Sequence, residues 1–250
     1  MEFIHILSLF VIGLIAAFIN VNAGGGSALT LPALIFLGLD SATANGTNRI
    51  AVILQNLSAV ASFKKEKYEQ FNLSIKLSLF TLPGSVIGAI TAVKIGDELF
   101  QKILGIIMIA VTITMLLPQS KNSITIDNAD KKLTPSTIIY FLLIGFYGGF
   151  IQVGIGFLLM IVLHKAMKFS LIYVNMHKVF IALFLTIPAF IIFIINHNVN
   201  WYWGLILALG NATGGWWAAK ISVKKGDRFI RVIIILAILI MALKLIGIIL

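Results

Sequence analysis

Apolar residues run through this chain in long blocks separated by short polar breaks, without the alternation that marks half-buried strands. Measured against the roughly 20 residues a helix needs to cross a bilayer, the blocks fall near residues 4–39, 41–63, 73–94, 99–118, 135–164, 171–195, 201–221 and 228–249. Two of them are irregular. The first is too long for one span and is broken at Gly24, Gly25 and Gly26 within "NVNAGGGSALTLPAL"; the fifth is broken at "GIGF", from Gly154 to Phe157. A glycine inside a helix costs about 1 kcal/mol relative to alanine. A break at membrane depth also frees backbone N–H and C=O groups that lipid cannot satisfy, so both breaks must face protein, water or a ligand.

The polar stretch from Gln119 to Thr134 is the only long loop. It divides the chain into an N-terminal repeat at 1–118, a linker at 119–134 and a C-terminal repeat at 135–250, and the two halves can be laid over one another. "GLIAAFINVNAG" from Gly13 matches "GFYGGFIQVGIG" from Gly145, with Asn20 over Gln152. "SATANGTNRI" from Ser41 matches "SLIYVNMHKV" from Ser170, which sets Asn48 on His177 and Arg49 on Lys178. "GSVIGAITAVKI" from Gly84 then matches "GNATGGWWAAKI" from Gly210, and "GDELF" at Gly96 meets "GDRFI" at Gly226.

Composition sets the class. With 60% hydrophobic and 11% charged residues and a mean hydropathy of +1.05, the chain is a polytopic membrane protein. The absence of cysteine excludes disulfides, thiolate nucleophiles and thiolate metal sites. A net charge of +10 is distributed in short clusters between apolar blocks, where it serves as a topology signal and a contact to anionic lipid. Membrane lipids are therefore expected partners and nucleic acid is not. The N-terminal "MEFIH" has no Lys or Arg, which argues against a signal peptide and against a cytoplasmic N-terminus.

Charge also decides how the broken blocks cross. If each is a hairpin that enters and returns, then Lys64, Lys65, Lys67, Lys76, Lys121, Lys131, Lys132, Lys165, Lys168, Lys220, Lys224, Lys225, Arg228 and Arg231 share one side. Only Lys94 and Lys102 clearly face the other, whereas single spans would scatter the same clusters. The expected fold is thus an all-α polytopic membrane protein of two inverted repeats, each a re-entrant broken helical hairpin plus three transmembrane helices. It would lie in the inner cell membrane with both termini outside. Trp201 and Trp217, about 24 Å apart on a helix, suit a span with an aromatic ring at each interface.

The nine acidic residues all fall in termini, loops or helix starts, so no buried carboxylate is available to bind a cation. Two basic residues differ. With Asp40 and Ser170 as N-caps, Arg49 and Lys178 lie about 12–14 Å into their helices, close to the midplane. Such a charge is costly and points to a functional site, with snorkelling as the alternative. The returning arms of the hairpins begin after "GGGS" and "GIGF". A helix N-terminus offers free N–H donors and partial positive charge, so two such ends meeting would attract an anion. The candidate anion-binding residues of the first half are Asn20, Gly24, Gly25, Gly26, Ser27, Asn45, Thr47, Asn48 and Arg49. Those of the second half are Gln152, Gly154, Gly156, Asn175, His177 and Lys178. His177 reads equally as a buried core histidine or as a proton-handling group. Close helix packing is the plainer role for such glycines and the one assigned to Gly84 with Gly88 and Gly210 with Gly214. Neither a metal nor a cofactor is expected.

At these residues the chain resembles a known family. "NAGGGSALTLPALIFLGLDSATANGTNRIA" is similar to the N-terminal signature of the TauE/SafE family of bacterial and archaeal membrane permeases. There a glycine-rich stretch, a proline, an "LG" and a "GTN" follow in that order. "GFYGGFIQVGIGFLLM" resembles the family's second repeat, and the likeness covers essentially the whole chain. The chain departs from the pattern at Asp40 to Thr43, which lacks a proline, and in the second half, where "NMHK" stands in place of a GTN. The resemblance implies transport, often efflux, of sulfur-containing anions such as sulfite, sulfoacetate or other organosulfonates. The alternatives are a permease for another small anion, such as a carboxylate or an inorganic oxyanion, and more remotely a membrane-embedded enzyme. The last is disfavoured because the chain has no HExxH, no thiol, no intramembrane acid pair and no serine beside a base. Homo-oligomer formation is left open.

Overall fold

Among the described residues each long apolar run becomes a helix or, at a glycine break, a pair of helices, and these end where glycine or a capping residue interrupts the run. The computed structural model describes residues 2–22, 24–68, 71–116, 134–167 and 169–222. Among them, α1 (Glu2–Asn22) and α2 (Ser27–Phe36) flank the first glycine break, followed by α3 (Ser41–Lys65), α4 (Phe71–Lys94) and α5 (Asp97–Leu116). In the second half, α6 (Pro135–Phe150) and α7 (Ile155–Ile161) flank the second break; α7 runs into a π-helical turn, Val162–Ala166, before α8 (Leu171–Ile195) and α9 (Trp201–Ser222).

Local chemistry places these starts. Asp40 accepts the N–H of Thr43 at the head of α3, and Thr134 accepts the N–H of Thr137 at the head of α6, where Pro135 needs no donor of its own. Ser170 takes the N-cap position of α8, but its hydroxyl makes no capping bond. The last apolar block, residues 228–249, lies outside the described residues. So do the linker up to residue 133, Lys168, and the basic residues from Lys224 to Arg231.

Helices pack most closely where both surfaces lack side chains. A Cβ on Gly84 would overlap the Leu142 carbonyl, and one on Gly145 or Gly149 would overlap Thr81 or Ser85, so α4 and α6 touch backbone to backbone. The same construction joins α1 to α9, with Gly210 on Phe10, Gly214 on Leu14 and Gly13 on Leu207. These are the small-residue contacts assigned to the two glycine pairs in the sequence.

Helix directions follow from the same contacts. Phe10 and Leu14 meet Gly210 and Gly214 in rising order, and Gly204 and Gly215 lie against Thr47 and Gln55, so α1, α3 and α9 run the same way. Gly145 and Gly149 meet Thr81 and Ser85, and Ser74 and Ser85 bond His177 and Leu185, so α4, α6 and α8 are mutually parallel. The two groups oppose each other. Gly46 rests on Phe193 near one end of the α3–α8 contact, and Phe63 clusters with Met176 and Val179 near the other.

The first hairpin has unequal arms. α1 lies along α9, and its 21 residues reach about 31 Å; with α4 and α8 it is one of three described helices long and apolar enough to cross a membrane. The returning arm is short: α2 has only 10 residues. By Gly26 the chain has already turned back, because a Cβ there would overlap the Ala16 carbonyl of α1. The outward surface is apolar, with Ile106, Ile113, Ile191, Leu209 and Trp217 exposed, as lipid contact requires.

Candidate functional site

The two glycine breaks meet. A Cβ on Gly24 would overlap the backbone of Gly156 and Phe157, and a Cβ on Gly156 would overlap Gly24 in return. Gly24 and Gly154 also have φ of +95° and +75°, a region open to glycine without penalty. Gln152 shares that region at φ +61°, which costs a residue with a Cβ about 1–2 kcal/mol. A side chain held there by its surroundings is a mark of functional sites. Here the Gln152 amide donates to Thr186 Oγ1 at 2.6 Å, and its Oε1 has no hydrogen-bond partner among the described residues. Gly26 and Gly154 stand at the N-caps of α2 and α7, neither of which has a side-chain cap.

The ends that lead into the breaks hold the cations. Arg49 is fully buried; its Nη1 donates to Gly148 O at 3.2 Å and its Nη2 to Gly149 O at 2.5 Å and Asn45 Oδ1 at 3.5 Å. Asn45 in turn donates to Phe150 O at 2.7 Å. Three of the last carbonyls of α6, which have no partner within their own helix, are thereby bonded from α3. The guanidinium also lies 4.7 Å from the centre of the Phe193 ring, a favourable cation–π distance. Lys178 does the same for the other half: its Nζ donates to Val21 O in the last turn of α1 at 2.7 Å and to Asn175 Oδ1 at 2.9 Å.

Each cation is thus engaged by carbonyls at the negative end of a helix dipole. Counting from the N-caps puts both close to the midplane, but they do not share one depth. Lys178 bonds Val21, which clusters with Ala59, and Ala59 lies ten residues beyond Arg49 on α3, so the two cations are about 15 Å apart along that helix. The helices oppose, so equal depth from each N-cap puts the cations on opposite sides of the middle.

Other candidates are tied into the same frame. Asn48 accepts from Thr30 of α2 at 2.7 Å, leaving its Nδ2 without a partner among the described residues. Thr47 accepts the N–H of Asn200 at the head of α9. His177 is buried, with Nδ1 2.7 Å from Ser74 Oγ and its ring against Phe169. Asn20 sits under Gly26, and Gly25 and Ser27 are buried beside it. Thr30, Ser74 and Thr186, each bonded to a candidate residue, were not singled out in the sequence, because a hydroxyl within an apolar helix reads as neutral. A buried polar stripe was also missed: Asn211 of α9 reaches Gln55 of α3 at 3.5 Å, and Gln55 reaches Asn56 at 3.4 Å. Its signal was present as polar residues at helical spacing beyond Arg49.

Among the described residues every carboxylate is exposed: Glu2, Asp40, Glu66, Asp97 and Glu98. An apolar groove of about 690 Å³ between α6 and α7, lined by Tyr140, Leu143 and Leu158 among others, belongs to the outer surface and lacks these groups.

The chain is 26% identical over 246 residues to the probable membrane transporter protein ORF9 of Sinorhizobium sp, covering 97% of this chain and 93% of that one. It is 26% identical over 242 residues to a probable membrane transporter protein of Haemophilus influenzae (95% and 93%), and 25% identical over 262 residues to the probable membrane transporter protein YunE of Bacillus subtilis (95% and 96%). No solved structure matches it. The family model described as Sulfite exporter TauE/SafE matches residues 9–245. With all but the ends of the chain so matched, this all-helical membrane protein belongs to the TauE/SafE family of transporters.

Proposed function

We propose that the protein carries small sulfur-containing anions, such as sulfite, sulfoacetate or another organosulfonate, out of the cell across the inner membrane. The anion binds between two inverted halves at the glycine breaks. The observation that carries this reading is the backbone contact of Gly24 with Gly156. It brings together two helix starts that have no side-chain caps, with Gln152 beside one of them. Buried cations without a buried carboxylate among the described residues favour a negatively charged cargo. The opposed directions of corresponding helices, α1 against α6 and α3 against α8, support inversion of the halves. The family's description supports the sulfur chemistry.

Efflux follows from electrostatics. A potential of 100 mV, negative inside, is worth about 2.3 kcal/mol per elementary charge, so a monovalent anion leaves without a coupled cation. The test is counterflow of labelled sulfite and sulfonates in proteoliposomes, with carboxylates and inorganic oxyanions in the same panel. Sulfite or sulfonate exchange that accelerates under an imposed potential is the expected result. Exchange confined to carboxylates would refute the sulfur reading, and a rate indifferent to potential would refute electrogenic efflux.

A further inference from the structure

We infer that Lys178 is a tethered substitute for a coupling cation: its ammonium fills a two-oxygen cage, Val21 O and Asn175 Oδ1, at the C-terminus of α1 that would otherwise bind a small monovalent cation. In transporters built of broken helices, the C-terminal ends of half-helices commonly coordinate sodium ions or protons through exposed carbonyls. Three carbonyls near the end of α1 have identified donors. Phe18 O accepts from the Asn22 amide at 2.9 Å and Ile19 O from the Gly24 N–H at 3.0 Å. Val21 O accepts from Lys178 Nζ at 2.7 Å, and Asn175 supplies a second oxygen to the same nitrogen at 2.9 Å. Lys178 is 2% exposed, so water does not replace it. Nitrogen, carbonyl and amide oxygens stand at distances that suit an ammonium ion.

Arg49 repeats the construction at the end of α6, where it bonds Gly148 O and Gly149 O. The helix leading into each glycine break is thus closed by a cation from the opposite half of the chain. In its ammonium form Lys178 sets a resident cation at the helix end. The protein has no need to recruit sodium to hold α1 against α8, and the energy of a sodium gradient has no purchase on it. This inference rests on the transport reading for its consequence, but not for its test.

The test uses purified full-length protein, with thermal unfolding followed in sodium, potassium, ammonium, methylammonium or choline chloride at constant ionic strength. Wild type should unfold at the same temperature in all five. Lys178→Ala empties the cage and should be stabilised, saturably, by sodium, ammonium or methylammonium over choline, by about 3–6 °C at ten times Kd. Lys178→Met fills the space without charge and should show no such preference. A Lys178→Ala protein that folds and is indifferent to the cation overturns the inference. If that variant cannot be isolated, wild type still decides: stabilisation by sodium over choline, or counterflow that requires sodium, also overturns it. Absence of anion counterflow under every condition would refute the proposed function while leaving the unfolding comparison intact.

Discussion

At the residue scale the structure depends on how buried charge is satisfied. Arg49 spans two carbonyls with one planar fork, which lysine cannot do. Arg49→Gln should leave Gly148 O and Gly149 O short of partners, and at about 1–3 kcal/mol for an unmet buried group it should destabilise the protein by about 2–4 kcal/mol. Arg49→Lys can keep one bond and should cost less, about 1–2 kcal/mol. Unfolding midpoints of the purified variants measure both, and equal stability of Arg49→Gln and wild type would show that the buried guanidinium is not needed by the α6 end. Gln152 offers a contrasting case. Gln152→Gly removes the strain of φ +61° along with the Thr186 bond, terms of similar size, so stability should change by less than about 1 kcal/mol while anion affinity falls. Unchanged affinity would remove Gln152 from the site.

At the element scale, paired glycines set how far apart helices stand. Gly145→Ala would drive a methyl group into the Thr81 carbonyl, forcing α4 and α6 apart at about 1–3 kcal/mol. Gly96→Ala, at a position with nothing within 4 Å, should change stability by less than about 0.5 kcal/mol. The same logic applies at the break, with a different readout. Gly156→Ala would push against Gly24, so counterflow should fall even in detergent-stable protein; full activity would mean that the two breaks need not touch.

At the scale of the whole molecule, Lys64, Lys65 and Lys220 lie where α3 and α9 end, whereas Lys94 and Lys102 lie where α4 ends and α5 begins. Asp97 accepts the Ser41 N–H at 2.6 Å, which brings the start of α5 to the start of α3 and sets these two groups of lysines at opposite ends of the bundle. We propose that the end with the excess of positive charge faces the cytoplasm. A single cysteine at Lys65 in this cysteine-free chain should be protected from an impermeant thiol reagent in intact cells, and one at Lys102 should react. The reverse pattern would invert the orientation.

The sequence by itself determined the membrane class, the positions of the seven described apolar runs and the places where two of these runs break, which gives the nine described helices. Those properties depend on hydropathy, length and local backbone chemistry, all of which act over a few neighbouring residues. It also identified Arg49 and Lys178 as exceptional, since an isolated charge in an apolar run is visible without any partner. Only the tertiary structure decided what they touch. Their partners, Gly148 and Gly149 for one and Val21 for the other, are backbone carbonyls about a hundred residues or more away, and a carbonyl is the same at every position in the chain. The separation of the two cations along α3 was hidden for a related reason. Depth within each helix can be counted from its cap, but whether two helices run together or opposed is fixed by which glycine faces meet across the bundle.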